Sequence, residues 1–233
     1  MKLPTGHVLR LTLNERVQHL LLMVCVVLLM VSGLSLRFAD TWFGRAVIAA
    51  EGGMENRGLL HRVAAVGVMV LWVYHALYVV FSERGHRQLM ALRPRFQDAR
   101  DAMGSLRLNP ETSDGGPRFG WFDFREKFQY WAVAMGVTMM TLTGLVLWFE
   151  SESMAVMPKW VIDVTRVVHG GEGLLIFVVL FLWHLYDTHL RPDVFPMDAS
   201  WITGRMTLKE LKRRHPLAYD GVAEGEDGEG DLP

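Results

Sequence analysis

Five histidines lie in or at the end of long apolar stretches of this chain, where an ionisable side chain is costly and is kept for a function. An imidazole in such a place can bind a metal ion or haem iron, or carry a proton. The stretch "HRVAAVGVMVLWVYH" shows the setting, because between its two histidines only Arg62 is neither apolar, aromatic nor glycine. The five are His19, His61, His75, His169 and His184.

The spacing of these histidines places them at two depths of a helix. His75 follows His61 by 14 residues, and His184 follows His169 by 15. On α-helices these intervals correspond to roughly 21 to 22 Å, with the later residue within about 40° or 60° of the starting face. Each segment therefore offers one imidazole near each membrane surface, and His19 lies at the depth of the two later ones.

Five histidines at two depths suit two bis-imidazole haems, one in each leaflet, because low-spin haem iron takes two axial nitrogens and the porphyrin fills an apolar bundle. Cys25 is the only cysteine, which excludes an intramolecular disulfide, a thiolate metal cluster and covalent C-x-x-C-H haem attachment. Basic residues at the matching depths could balance the haem propionates. They are Arg62 and Arg166 near one surface, and Arg16, Arg125 and Lys127 near the other.

The elements that must position these histidines are four apolar runs. Hydrophobic residues make up 51% of the chain and charged residues 21%, which is too apolar for a soluble domain of this length. Each run reaches the roughly 20 residues that a membrane-spanning helix needs. We therefore predict an all-α integral membrane four-helix bundle with a cytoplasmic loop and a C-terminal tail. The predicted helices cover residues 17–36, 59–81, 128–149 and 161–186.

Basic residues predict the orientation of this bundle. They concentrate between the second and third runs and after the fourth, whereas the two short loops carry few. By the positive-inside rule, both termini and the middle loop are cytoplasmic, in a multi-pass membrane protein. We expect residues 1–190 to form the transmembrane domain and residues 191–233 a cytoplasmic tail that is partly disordered.

The two halves of the chain resemble each other. The segment "ERVQHLLLMVCVVLLMVSGLSLRF", from Glu15, aligns with "EKFQYWAVAMGVTMMTLTGLVLWF", from Glu126. Two helical hairpins, each with paired histidines on its second helix, describe the chain. The aligned positions include Gln18 with Gln129, His19 with Tyr130, Gly33 with Gly144, Phe38 with Phe149, His61 with His169, and His75 with His184.

These segments, with "LLHRVAAVGVMVLWVYH" and "HGGEGLLIFVVLFLWHLYDTH", resemble the prokaryotic di-haem cytochrome b superfamily over about residues 10–190. That superfamily includes the b-type subunits of nickel-iron hydrogenases and the gamma subunits of membrane formate dehydrogenases. The resemblance implies two b-type haems. It also implies their axial ligands, His61 with His169 on the periplasmic side and His19 with His184 on the cytoplasmic side.

The resemblance further implies a function. The chain would be the electron-transfer subunit of an oxidoreductase complex, passing electrons between a periplasmic redox subunit, an iron-sulfur or multihaem protein, and menaquinone or ubiquinone. The quinone lies beside the cytoplasmic haem in this family, near the segment that enters the third helix. Asp123, Arg125 and Lys127 are therefore candidates for the quinone site. We expect membrane lipid around the chain, and no nucleic-acid partner or catalytic side chain.

His75 departs from the family pattern. It could replace His19 as a ligand, contact the quinone, or serve a further haem, and we favour a non-ligand role because "RVQH" fits the helix-one ligand motif. Two other functions stay open: a stand-alone quinone-linked oxidoreductase acting on a small oxidant, and a non-redox transporter or anchor with metal- or proton-binding histidines. The remaining histidines, His7, His86, His189 and His215, are expected at the surface.

Overall fold

The computed structural model describes residues 6–107 and 118–224, which form eleven helices and two short strands. The strands are β1 (His7–Leu9) and β2 (Arg205–Thr207). The helices are α1 (Leu13–Arg37), α2 (Trp42–Ala50), α3 (Met54–Phe81), α4 (Glu83–Ala91), α5 (Phe96–Arg107), α6 (Phe124–Trp148), α7 (Glu150–Val156), α8 (Lys159–Leu190), α9 (Ser200–Thr203), α10 (Leu208–Arg214) and α11 (Pro216–Glu224).

Four of these helices, α1, α3, α6 and α8, are long and apolar enough to cross a membrane. They have 25, 28, 25 and 32 residues, and their most apolar windows have mean hydropathies of 2.5, 2.1, 1.6 and 1.7. The all-α membrane fold predicted from the sequence is thereby confirmed, with one helix for each predicted run. Each helix begins two to five residues before the apolar run that predicted it.

Polar caps explain the early start of α1 and α6. The Thr12 amide donates to Glu15 Oε2 over 2.7 Å, and the Glu15 amide donates to Thr12 Oγ1 over 3.3 Å. Asp123 and Glu126 repeat this reciprocal arrangement at the start of α6, with both distances 2.9 Å. Such a capping box satisfies amides that the first turn leaves unpaired. The two boxes occupy the same position in the repeat, which extends the internal symmetry beyond the apolar runs.

The chain divides into two compact units. The first comprises Met1–Arg16, Ala76–Ala132 and Ala199–Pro233, and the second comprises Val17–His75 and Val133–Asp198. The first unit collects the three segments that the positive-inside rule places on one side of the membrane. The N-terminal and C-terminal segments therefore belong to one unit. The predicted division into a transmembrane domain and a tail at residue 190 stays a prediction.

A small core holds the first unit together. Strands β1 and β2 pair antiparallel, with Val8 opposite Met206. Both side chains are buried with Trp121 and Leu211, so the N-terminal segment, the middle loop and the tail contribute to one apolar cluster. The tail is thus folded as far as α11, and the acidic end that we predicted to be disordered lies outside the described residues from residue 225 onward.

His215 is not a surface residue, contrary to the prediction. Its side chain is only 1% exposed, and its Nδ1–H donates to the Gly120 carbonyl oxygen over 2.8 Å. Burial lowers the pKa of the His215 imidazole below its ordinary value. The prediction failed because a polar, basic stretch gives no sign that residues 119–122 will cover it.

Acidification is expected to loosen the packing of the tail. Because the pKa of His215 is lowered in the folded state, the unfolded state binds more protons, so this stabilisation is present above about pH 6.5 and is lost as the pH falls. The loss is at most about 1.4 kcal/mol per pH unit. The Leu217 amide donates to the Phe119 carbonyl and the Tyr219 amide to the His215 carbonyl. Hydrogen exchange of these two amides, corrected for intrinsic rates, measures the free energy of local opening as a function of pH.

His215→Gln keeps a hydrogen-bond donor that does not titrate, so it should make this free energy independent of pH. A wild-type protein whose free energy of opening is equally independent of pH would contradict the prediction.

Candidate functional site

Four of the five membrane histidines come together as two pairs in the second unit. His61 on α3 and His169 on α8 have ring centroids 6.5 Å apart and ring planes at 68°. His19 on α1 and His184 on α8 have centroids 6.3 Å apart and planes at 50°. All four are partly buried. Helix α8 therefore contributes one imidazole to each pair, and the partners come from different helices.

A buried hydroxyl orients His61. The Ser32 side chain is 0% exposed, and its Oγ lies 2.9 Å from His61 Nδ1. The same hydroxyl donates its hydrogen to the Leu28 carbonyl oxygen over 2.6 Å. Since the hydroxyl hydrogen is used there, Nδ1 of His61 must carry a hydrogen and donate it to Ser32. The lone pair then resides on Nε2, which is the nitrogen free to bind a metal.

The other half of the repeat uses the same arrangement at His169. Thr143 Oγ1 lies 2.8 Å from His169 Nδ1 and donates to the Met139 carbonyl oxygen over 2.7 Å. Thr143 aligns with Ser32, since each directly precedes one of the aligned glycines, Gly144 and Gly33. Both halves of the repeat carry a hydroxyl residue at this position, and only the folded structure shows that it faces a histidine.

The repeated glycines give the imidazoles room. A Cβ atom at Gly33 would lie 3.5 Å from His61 Cε1, and one at Gly144 would lie 3.2 Å from His169 Cε1. The second distance is tighter than an ordinary van der Waals contact. In each half of the chain, a hydroxyl residue followed by glycine therefore accepts a hydrogen bond from one imidazole and leaves space for its ring.

Both pairs have the spacing that two axial ligands of one metal require. An imidazole nitrogen lies about 2.0 Å from a bound first-row metal such as zinc and about 1.1 Å in front of its ring centroid, so opposed ligands have centroids about 6.2 Å apart. The observed 6.3 and 6.5 Å agree with this value. In the described part of the chain, no group of three or more His, Cys, Asp or Glu side chains could hold a metal ion. The spacing of the paired imidazoles fits bis-histidine haem ligation.

His75 belongs to neither pair. Its Nδ1–H donates to Gln18 Oε1 over 2.8 Å, and its ring stacks on Trp72 with centroids 5.9 Å apart. Gln18 is buried, and its amide nitrogen has no hydrogen-bond partner among the described residues. On α1, the neighbouring residues Gln18 and His19 therefore contact different histidines. His75 and Gln18 form a separate polar site within the spans.

Helix α8 changes from α-helical to π-helical geometry in the segment that carries His184. It is α-helical from Lys159 to Val178 and then π-helical over Val179–His184 and Tyr186–Leu190. A π-helix bonds residues five apart, and such segments recur at functional sites. The angle between His169 and His184 that we predicted assumed regular α geometry. The wider turn rotates the chain less per residue and so changes the direction in which His184 points.

The basic residues predicted to balance propionates have other partners. The Arg62 guanidinium lies over the Trp148 ring, 5.4 Å from its centroid. Arg166 pairs with two acidic residues, Glu150 at 2.9 Å and Asp163 at 3.5 Å. Arg16, in the first unit, donates to the Ile202 carbonyl oxygen. Their role toward a cofactor stays a prediction that these contacts do not support.

The predicted quinone residues also have structural partners within the first unit. Asp123 is buried, caps α6, and pairs with Arg125 at 2.9 Å. Lys127 is buried and pairs with Asp98 on α5 at 2.8 Å. A charged helix entry of this kind needs no ligand to be satisfied. Quinone binding by Asp123, Arg125 and Lys127 therefore stays a prediction.

Comparison with known proteins agrees with this geometry. The family model for prokaryotic cytochrome b561 matches residues 10–190. The formate dehydrogenase cytochrome b556(fdo) subunit of Escherichia coli (strain K12) is 23% identical over 220 residues, which cover 92% of this chain and 93% of that protein. The same subunit from the O6:H1 and O157:H7 strains matches with the same identity and coverage.

Proposed function

This chain belongs to the prokaryotic cytochrome b561 family, and from that premise we propose that it is a di-haem membrane subunit that carries electrons between a periplasmic redox protein and quinone. Membership implies a b-type haem and electron transfer. The observation that carries the more specific proposal is the presence of two imidazole pairs with the spacing of axial ligands, 6.5 and 6.3 Å between ring centroids.

We assign His61 and His169 to one haem and His19 and His184 to the other. When bound, haem supplies one-electron chemistry at an iron whose potential depends on its ligands and surroundings. The chain's own residues fix the imidazole orientation, since Ser32 and Thr143 accept Nδ1–H of His61 and His169. The apolar spans exclude water from the ligands, and α8 links the two pairs because it carries one ligand of each.

The arrangement of the chain supports transfer across the bacterial inner membrane. The segments predicted to be cytoplasmic belong to one compact unit, while the two connections on the other side hold only the short helices α2 and α7. Helices of nine and seven residues cannot form a catalytic domain. A separate protein must therefore exchange electrons there. Because its relatives are described as formate dehydrogenase cytochrome subunits, we propose a periplasmic iron-sulfur or multihaem subunit as partner.

We propose the Gln18 and His75 site as a contact for menaquinone or ubiquinone. Nδ1–H of His75 holds the Gln18 carbonyl oxygen in place, and the buried Gln18 amide nitrogen is a donor for a quinone carbonyl. Trp72 supplies a flat ring beside them. These groups match the polar ends of a quinone. They match a bis-histidine haem less well, because His75 faces Gln18 and Trp72 and not a second imidazole.

The proposed function is tested on the purified full-length chain. Dithionite-reduced minus oxidised spectra are expected to show a b-type alpha band, and a pyridine haemochrome assay is expected to give about two haems per chain. Co-purification from native membranes should recover a redox subunit with its own cofactor. A folded but colourless protein would refute haem binding. Recovery of the chain alone, with turnover of a small oxidant, would favour a stand-alone enzyme.

The quinone site has a test of its own. His75→Ala is expected to keep both haems and to slow their reduction by a soluble quinol analogue, since the side chain that holds the Gln18 amide in place is lost. Stopped-flow spectroscopy of the haem bands measures the rate, with dithionite reduction as the reference. His86→Ala, at an exposed position on α4, is the matched control. Unchanged quinol kinetics in His75→Ala would exclude this histidine from the quinone site.

A further inference from the structure

A charged network lies behind His61. The Ser32 carbonyl oxygen accepts a hydrogen bond from Arg57 Nη1 over 2.7 Å. The Ser35 hydroxyl lies 3.1 Å from both the Ser32 carbonyl oxygen and Glu51 Oε2, so its single hydrogen is shared between these two acceptors. Ser32 and Ser35 are 0% and 1% exposed. Through these serines, one cation and one anion are connected to the residue that orients His61.

Neither charge in this network is fully satisfied. Arg57 Nε and Glu51 Oε1 are buried and have no hydrogen-bond partner among the described residues. Arg57 and Glu51 form no ion pair with each other in the described part of the chain. A buried charge without a direct counterion acts over a longer range, because the low dielectric of the interior screens it little.

The other half of the repeat holds His169 without residues equivalent to Arg57 and Glu51. Thr143 takes the position of Ser32, but Val146 takes that of Ser35, and Thr165 takes that of Arg57 when His169 is aligned with His61. His169 is nevertheless held by the same hydroxyl contact, at 2.8 Å. Arg57 and Glu51 are therefore not needed to orient an imidazole. They give the His61 side a charged network that has no counterpart at the aligned positions Val146 and Thr165 of the other half.

We propose that Arg57 and Glu51 set the redox potential of the site formed by His61 and His169. The inference rests on the proposed function, in which these histidines ligate a haem. One-electron reduction of ferric to ferrous iron lowers the positive charge of the site by one. A nearby cation opposes the oxidised state and an anion favours it, so Arg57 raises the potential and Glu51 lowers it. Arg57 suits this role because a guanidinium stays charged when buried.

Charge-neutralising variants test the proposal through opposite shifts. Arg57→Gln is expected to lower the midpoint potential of the His61–His169 haem, and Glu51→Gln is expected to raise it. A tenfold change in the ratio of reduced to oxidised haem at fixed potential corresponds to about 59 mV for one electron, and we expect shifts of about this size. Arg57→Lys should keep most of the wild-type potential. Spectroelectrochemical titration of the purified protein measures all three.

The protein provides matched controls. Arg45→Gln and Glu55→Gln make the same charge changes at exposed positions of the same connection and its adjoining helix, and neither should move the potential. The haem of His19 and His184 is an internal reference in every variant. If Arg57→Gln loses haem, Glu51→Gln decides the matter alone: a raised potential supports the proposal and an unchanged one overturns it.

Shifts in the same direction for Arg57→Gln and Glu51→Gln would indicate a structural disturbance and overturn the proposal. Two bound haems with unchanged potentials would also overturn it, while leaving the proposed function intact. A wild-type chain that binds no haem would instead refute the proposed function itself. The two failures are therefore distinguishable.

Discussion

Replacing His61 or His169 by alanine is expected to remove one haem from the protein, and replacing His19 or His184 is expected to remove the other. Each haem would be held only by two axial bonds and by packing, because the single cysteine rules out C-x-x-C-H attachment. Loss of one ligand leaves the opposite imidazole without its counterpart across the metal. Pyridine haemochrome counts should fall from about two to about one per chain.

The spectral component that each single variant loses tests the pairing more directly than the haem count does. Variants of the same pair should lose the same spectral component, and variants of different pairs should lose different ones. His75→Ala serves as the control, because its ring is held by Gln18 and stacks on Trp72 rather than facing another imidazole. If His75→Ala removed a haem that His19→Ala spared, the assignment of His19 with His184 would be wrong.

Removing the hydroxyls that orient His61 and His169 is expected to weaken haem retention without deleting a ligand. Ser32→Ala or Thr143→Val takes away the acceptor of Nδ1–H, so the ring loses its fixed tautomer and direction. Outer-shell partners of this kind typically change metal affinity by about 10- to 100-fold. Haem transfer to excess apomyoglobin from detergent-solubilised protein measures the change as a faster loss of the His61–His169 component.

Thr138→Val is the matched control for this experiment. Thr138 lies on the same helix as Thr143, and its hydroxyl donates to the Ala134 carbonyl oxygen over 2.8 Å in the same manner. It therefore reports the cost of losing a threonine hydroxyl in α6 away from the imidazoles. Thr143→Ser keeps the acceptor and should retain haem like the wild type. Equal losses in Thr138→Val and Thr143→Val would show that the hydroxyl has no special role toward His169.

Much of the fold was predictable, because a bilayer imposes strong rules on sequence. A helix must satisfy its own backbone in hydrocarbon, so four apolar runs become four helices, α1, α3, α6 and α8. The helix ends were less predictable. The starts of α1 and α6 depend on polar caps, Thr12 with Glu15 and Asp123 with Glu126, that lie outside the apolar pattern used for the prediction.

At the candidate site, the pairing of histidines was likewise only partly predictable from the sequence. Depth and repeat indicated which histidines share a level, and the family resemblance selected His19 over His75 as the partner of His184. Distances of 6.3 Å between the His19 and His184 rings and 2.8 Å between His75 and Gln18 came only from the structure. Two histidines at one depth cannot be ranked from sequence when the rotation of α1 and α3 about their axes is unknown.

The sequence by itself determined the number of spans, the internal repeat and the residue types able to hold haem, since these depend on hydropathy and on spacing along single helices. Tertiary structure alone decided which side chains meet. It placed Ser32 behind His61, Arg57 and Glu51 behind Ser32, and His215 inside a core built from three distant segments. The physical reason is that such contacts join residues far apart in the chain, whose geometry depends on how helices pack and how α8 widens near His184.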